Sequence, residues 1–275
     1  MNLKKSQQKL RSALIGCAVF SIAFTGISCD RSGTEATTSL TGSSDAKLAA
    51  DRIAEAEPLW EGRENLAKAR VAVAALRQAR TADYSNYEAA WKLARASFYV
   101  GDHTDNDDEQ TNMFREGTEA GKSAVKLQPD KADGHFWLGA NYGGAAAHST
   151  IANLSSFNDI KTEMDEVLRI DESYQGYSAY LGLGRLYLQA PRIFGGDTAK
   201  AIEYFEKGLK LNPNHSLMRY YLAKAFETNN RYAEAKKEIE RVMATTPDPK
   251  HVAEQKDAVE KSKKLLEKIE AEARR

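Results

Sequence analysis

The sequence predicts an all-α fold, an α-α superhelix of about four helical hairpins with a flanking helical segment at each end. Two observations predict it. The 275 residues are 42% hydrophobic and 28% charged, the balance of a soluble globular chain, and Ala, Leu, Lys and Glu dominate while Pro occurs only 6 times, a mixture that suits helices better than sheets. In addition, one pattern of small and large residues recurs along the chain at a nearly fixed interval, the mark of a repeat architecture.

Before the repeats comes a targeting segment. A basic stretch, MNLKKSQQKLR, precedes an apolar run from Ser12 to Ser28, the layout of a secretory signal over residues 1–28. At helical rise the run covers about 25 Å, short of the ~30 Å hydrocarbon core, although an uncleaved anchor stays open as an alternative. It ends in Gly26-Ile27-Ser28-Cys29-Asp30, which resembles a bacterial lipobox and marks Cys29 as the lipidated residue. Cys17 is the second cysteine, so a cleaved chain keeps one at most, and neither a disulfide nor a thiolate metal site can form within it. Cleavage also removes Lys4, Lys5, Lys9 and Arg11 from 39 basic against 39 acidic residues, leaving a slightly acidic body with no basic stripe for nucleic acid. Residues 29–46, rich in Ser, Thr and Gly, read as a flexible tether. The helical-repeat domain is 47–275.

Lys47 to about Arg80 reads as helix, broken near Pro58, with Ile53, Ala56, Leu59 and Trp60 on one side. Four hairpins follow, at about 86–130, 131–173, 176–213 and 214–247. The last is the most regular. Pro213 and Pro247 are 34 residues apart, the tetratricopeptide (TPR) period, with Leu222, Ala223 and Phe226 at first-helix positions and Ala235, Ile239 and Val242 in the second. The same signature appears at Tyr180, Leu183, Gly184 and Tyr187, answered by Ala201, Phe205 and Gly208. Upstream it recurs at Leu138, Gly139 and Tyr142, answered by Ile160, Met164 and Val167, and first at Trp91, Ala94 and Phe98, answered by Gly117, Gly121 and Ala124. Small residues at the eighth and twentieth positions let paired helices approach closely, and stacking buries what one hairpin cannot. A polar helix over 250–273 then caps the array.

In the third hairpin the chain reads APRIFGGD, Ala190 to Asp197. Pro191 ends a helix, Gly195 and Gly196 take positive φ at little cost, and Asp197 is placed to cap the next helix. A phosphate loop needs a preceding strand and GxxxxGK[ST], and a capping carboxylate repels phosphate. The turn is longer than a plain repeat requires, so Arg192, Ile193 and Phe194 are predicted as a projecting contact loop. In the first hairpin the insertion around Asp105, Asp107, Glu109 and Glu116 has calcium-loop spacing but Gln110 where the turn needs Gly; it reads as a solvated acidic loop.

The register of each first helix directs one face inward, and that face places Lys92, Tyr99, Phe136, Leu181, Arg185, Leu188, Tyr220 and Lys224 on a concave groove. Cations among aromatics suit an extended, partly apolar ligand with an acidic group; the alternative is that Lys and Arg solvate an empty face. Tyr142-Gly143-Gly144-Ala145 lacks bulk, so either another helix packs very closely there or a cavity opens. The histidines show no H-x-x-x-H spacing, and GxSxG, HExxH and CxxC are absent, so no enzyme, cofactor or metal is predicted.

The lipobox together with GHFWLGANYGG (Gly134 to Gly144), YLGLGRLYLQAPRIFGGD (Tyr180 to Asp197) and AIEYFEKGLKLNPN (Ala201 to Asn214) resembles the TatT family, the T component associated with TRAP transporters. The resemblance spans roughly 86–242. It implies a lipid-anchored protein on the periplasmic side of a bacterial envelope, working beside a solute-binding protein, with an oligomer and a ligand pore. Related motifs occur in microtubule-dynamics-regulator-like TPR proteins. The function expected is non-catalytic protein–protein interaction. The alternatives are a general envelope assembly scaffold with no small-molecule ligand, or an enzyme of unknown type.

Overall fold

A computed structural model describes residues 45–147, 154–246 and 252–273. Cys29, the leader and most of the tether lie outside the described residues. Within them the chain forms eleven α-helices, one short 3-10 turn and no strand.

The four expected hairpins form as antiparallel pairs: α3 (Tyr87–His103) with α4 (Asp107–Leu127), α5 (Ala132–Ala147) with α6 (Leu154–Ile170), α7 (Tyr174–Gln189) with α8 (Thr198–Leu211), and α9 (Ser216–Thr228) with α10 (Tyr232–Ala244). The capping helix is α11 (Val252–Ala273), which packs on α9 and α10. The small residues sit where the helices touch. A Cβ on Gly184 would lie 2.3 Å from Phe205, and one on Gly208 would lie 2.5 Å from Met218 Sδ. In the earlier pairs, a Cβ on Gly117 would meet Asn141 Oδ1 at 2.0 Å and one on Gly139 would meet Met164 at 2.6 Å.

Two expectations are corrected. The N-terminal flank does not break at Pro58, which lies inside α1 (Ala46–Glu61); it breaks at Gly62 to Asn65, and α2 (Leu66–Ala82) folds back on α1 as a further hairpin. Proline removes one helical hydrogen bond, but Asp45 caps α1 through Leu48 N at 2.9 Å, and Ile53, Ala56 and Trp60 bury the face that spans the proline. The acidic insertion is a loop that caps the next helix only over residues 104–106, and from Asp107 onward it is helix. Asn106 accepts from Glu109 N at 2.8 Å, Asp107 and Asp108 occupy the dipole-favoured first turn, and Gln110 and Phe114 are buried. Its carboxylates are also taken: Glu109 forms a fork with Arg70 at 2.7 and 2.7 Å, and Glu116 another with Arg77 at 2.6 and 2.7 Å.

Apolar burial divides into two clusters. One gathers Trp60, Leu76, Leu93 and Val100 from α1 to α3; the other runs from Phe157 through Tyr180, Phe205 and Met218 to Leu265 and Ile269 of α11.

Candidate functional site, a concave cavity

The first helix of each hairpin contributes to one cavity of about 790 Å³. Phe98 and Tyr99 of α3, Phe136 and Trp137 of α5, and Leu181 and Leu186 of α7 supply much of its apolar wall, and Phe157 of α6 adds to it. Glu254, Gln255, Asp257 and Lys261 of α11 form a polar wall. The glycine question raised by Gly143-Gly144 resolves both ways. A Cβ on Gly144 would come within 2.2 Å of Phe114, so the backbone packs tightly there, whereas one on Gly143 would meet nothing within 4 Å, because that edge faces the cavity.

Of the residues predicted for the groove, Tyr99, Phe136, Leu181 and Arg185 line this cavity, and Phe194 of the predicted loop joins them. The others sit elsewhere. Lys92 is buried and held between Glu57 and Glu88. Leu188 packs half-buried against the C-terminal core cluster. Tyr220 meets Tyr221 edge-on at 5.0 Å between ring centroids, and burial raises its pKa. Lys224 is half-buried on α9, outside the cavity lining. Arg192 and Ile193 project outward, Ile193 with 83% of its surface exposed.

The APRIFGGD turn has the geometry its residues dictate. Arg192–Phe194 make a 3-10 turn, Gly195 takes φ 102°, and a Cβ on Gly196 would lie 1.8 Å from Ala190 O. Asp197 Oδ1 accepts from Ala199 N at 2.9 Å and Lys200 N at 3.2 Å, so the amides that could cradle a phosphate at the start of α8 are already engaged.

Arg185 is the informative cation. Its guanidinium lies 4.8 Å from the Tyr221 ring centroid, and among the described residues no ion pair engages it. Lys261 approaches the same tyrosine and pairs with Asp257 at 2.6 Å. Other features were not anticipated. Arg95 is sandwiched at 4.1 Å from Trp60 and 4.9 Å from Trp91. His215 Nδ1 accepts from Met218 N at 3.4 Å, which assigns the proton to Nε2; that nitrogen faces Ser178 Oγ at 3.3 Å, while the Ser178 hydroxyl donates to Gln175 O at 2.6 Å. The serine proton is thus spent on a carbonyl and the imidazole on a helix cap, which is not the polarity of a base activating a nucleophile. Residue spacing gave a faint signal for Arg95, four residues after Trp91 on one helix face, and none for a pair 37 residues apart.

The family described as Regulator of microtubule dynamics protein 1-3 matches residues 52–189, half of the chain. The chain belongs to this family. A tetratricopeptide repeat family matches residues 195–261, so the family's helices run into recognised TPR units. No curated protein matches the chain. Among solved structures, a thermophilic TPR protein of Thermus thermophilus is similar at a TM-score of 0.57 and 17% identity, covering 77% of this chain and 98% of that one. Pseudomonas aeruginosa pilF is similar at 0.51 and 17% identity, covering 81% and 92%. At these identities the likeness establishes the TPR superhelix, an architecture that generally serves as a non-catalytic scaffold for protein partners.

Proposed function

We propose that this family member is a non-catalytic interaction module whose concave cavity receives an elongated, largely apolar group with an anionic end. The observation that carries the reading is Arg185, a guanidinium over the Tyr221 ring beside the apolar wall of a cavity whose lining also carries Asp102, Glu254, Asp257 and Lys261, and engaged by no ion pair among the described residues. A desolvated guanidinium recognises carboxylate or phosphate through paired hydrogen bonds, and the apolar wall supplies the burial.

The setting proposed is the periplasmic face of a bacterial envelope, with lipid at Cys29 holding the domain to the membrane. Support comes from the leader and the Gly26 to Asp30 motif. The TatT-like segments suggest the partner, a TRAP-type solute-binding protein that exchanges its ligand with the cavity.

The deciding experiment is titration of the full-length chain with dansylundecanoic acid, an apolar fluorophore and chain ending in a carboxylate. Saturable binding is expected, weakened about tenfold in Arg185→Gln, as loss of one charged contact worth about 1.4 kcal/mol requires. Equal affinity in both proteins refutes the role of Arg185. Capture from envelope membranes that recovers a solute-binding protein supports the TRAP-like assignment; recovery of assembly factors alone ends it in favour of the scaffold reading, which the exposed Ile193 on the projecting turn favours. Fatty-acid labelling that persists in Cys29→Ser eliminates Cys29 as the lipidated residue.

A further inference from the structure

The turn between α1 and α2 meets the last helix through two ion pairs. Arg63 and Glu64, in the turn between α1 and α2, face Glu254 and Lys256 of α11: Arg63 Nη2 donates to Glu254 Oε1 at 2.8 Å and Lys256 Nζ to Glu64 Oε2 at 2.8 Å. The signs are crossed, plus then minus on the turn and minus then plus on the helix, so only one register of the two elements satisfies both pairs. Arg63 is built for the task. Its side chain is 11% exposed, its guanidinium lies 4.7 Å from the Trp60 ring and 5.9 Å from Tyr99, and its Nη1 donates to Trp60 O at 3.4 Å. Leu265 and Ile269 of α11 belong to the C-terminal cluster, and among the described residues the N-terminal cluster takes in no side chain of α11. The cavity lies against this junction, with Trp60 and Tyr99 on one side and Glu254, Gln255 and Asp257 on the other.

We infer that the Arg63–Glu254 and Glu64–Lys256 pairs are a clasp that closes the superhelix on itself, and that opening the clasp spreads the array and admits ligand to the cavity. The second half rests on the binding role proposed above for that cavity. A repeat stack deforms by small rotations at each hairpin interface, so releasing two charged contacts is enough to change the span between its ends. The α11 helix need not leave α10, to which Gln255 Nε2 is tied through Val242 O and Thr245 O, each at 3.2 Å.

The test uses the full-length chain with Cys17 and Cys29 replaced by Ser and spin labels on Lys68→Cys and Glu260→Cys, two exposed positions flanking the clasp. Arg63→Glu and Glu254→Arg are each expected to lengthen and broaden the inter-label distance, and the double variant Arg63→Glu/Glu254→Arg to restore it. The association rate of dansylundecanoic acid is expected to rise about tenfold in each single variant, the change that about 1.4 kcal/mol of clasp stability produces, and to return in the double. An unchanged distance in the single variants overturns the clasp whatever the cavity binds. Lengthened distance with unchanged association overturns its control of access. Absence of probe binding in every protein, with the distances behaving as expected, overturns the cavity reading and the control of access while leaving the closure itself standing.

Discussion

His135 Nδ1 lies 2.6 Å from Glu163 Oε2 while its Nε2 faces Pro129 O at 2.8 Å, so one imidazole ties α5 to α6 and to the turn that precedes α5. The carboxylate hydrogen bond raises the histidine pKa, with burial opposing and the Pro129 carbonyl assisting. A raised folded-state value contributes stability that is fully present below the ordinary histidine value of about 6.5 and is lost as pH rises through the folded value. The stability gap between wild type and Glu163→Gln is therefore expected to be larger near pH 5.5 than near pH 8.5, about one unit or more to either side of the ordinary value, in urea unfolding curves. A gap independent of pH means the imidazole is not charged in the fold.

Glu109 behaves in the opposite sense. The fork with Arg70, joined by the Thr104 hydroxyl, lowers its carboxyl to about 2. Its contribution is present above the unfolded carboxylate value and is lost as pH falls toward the folded one. Partly exposed pairs are screened, so the effect is small. Arg70→Ala is expected to lower stability slightly at neutral pH, and less still below about pH 3, in urea unfolding curves.

Gly184 and Gly143 separate two uses of glycine on first helices. Gly184→Ala forces a methyl toward Phe205 and is expected to cost about 1–3 kcal/mol. Gly143→Ala points into open space and is expected to stabilise by up to about 1 kcal/mol through helix propensity, while taking volume from the cavity. Chemical denaturation of the two variants checks both signs.

Much of the fold was legible. The hairpin limits follow from the spacing of Gly184, Gly208 and their equivalents, because close approach of two helices leaves one residue type a place to stand. Four of the eight residues expected on the groove, Tyr99, Phe136, Leu181 and Arg185, line one cavity from α3, α5 and α7, whereas Tyr220 and Lys224 of α9 do not. Lys92 shows why the rest was not legible. Its helix register is right, but Glu57 from α1 and Glu88 from its own helix neutralise it, and the first of those neighbours depends on how α1 folds back, which a break assigned to Pro58 obscured. The wall made by α11 was hidden for the same reason, since a helix with balanced charges discloses its partners only when the chain has curved through five hairpins to meet them.

Lys92 and Arg185 consequently part company under mutation. Lys92→Met is expected to lower stability and leave dansylundecanoic acid affinity unchanged, while Arg185→Gln is expected to do the reverse. Thermal melts and fluorescence titration of the same preparations decide the matter.

Asp197→Ala removes the cap of α8 and is expected to cost about 1 kcal/mol, whereas Gly196→Ala drives a methyl into the Ala190 carbonyl and is expected to cost more. Equal losses mean that the turn relaxes around the added methyl.

Linear repeat arrays melt from their ends, because a terminal unit has one neighbour where an internal unit has two. The contact of Arg63 with Glu254, 191 residues apart in sequence, gives the first unit here a second neighbour. Amide exchange in α1 and α11 should then track that of the central helices, and the array should unfold in a single step rather than fray, with added salt restoring the fraying by screening the charges that bring the two ends together.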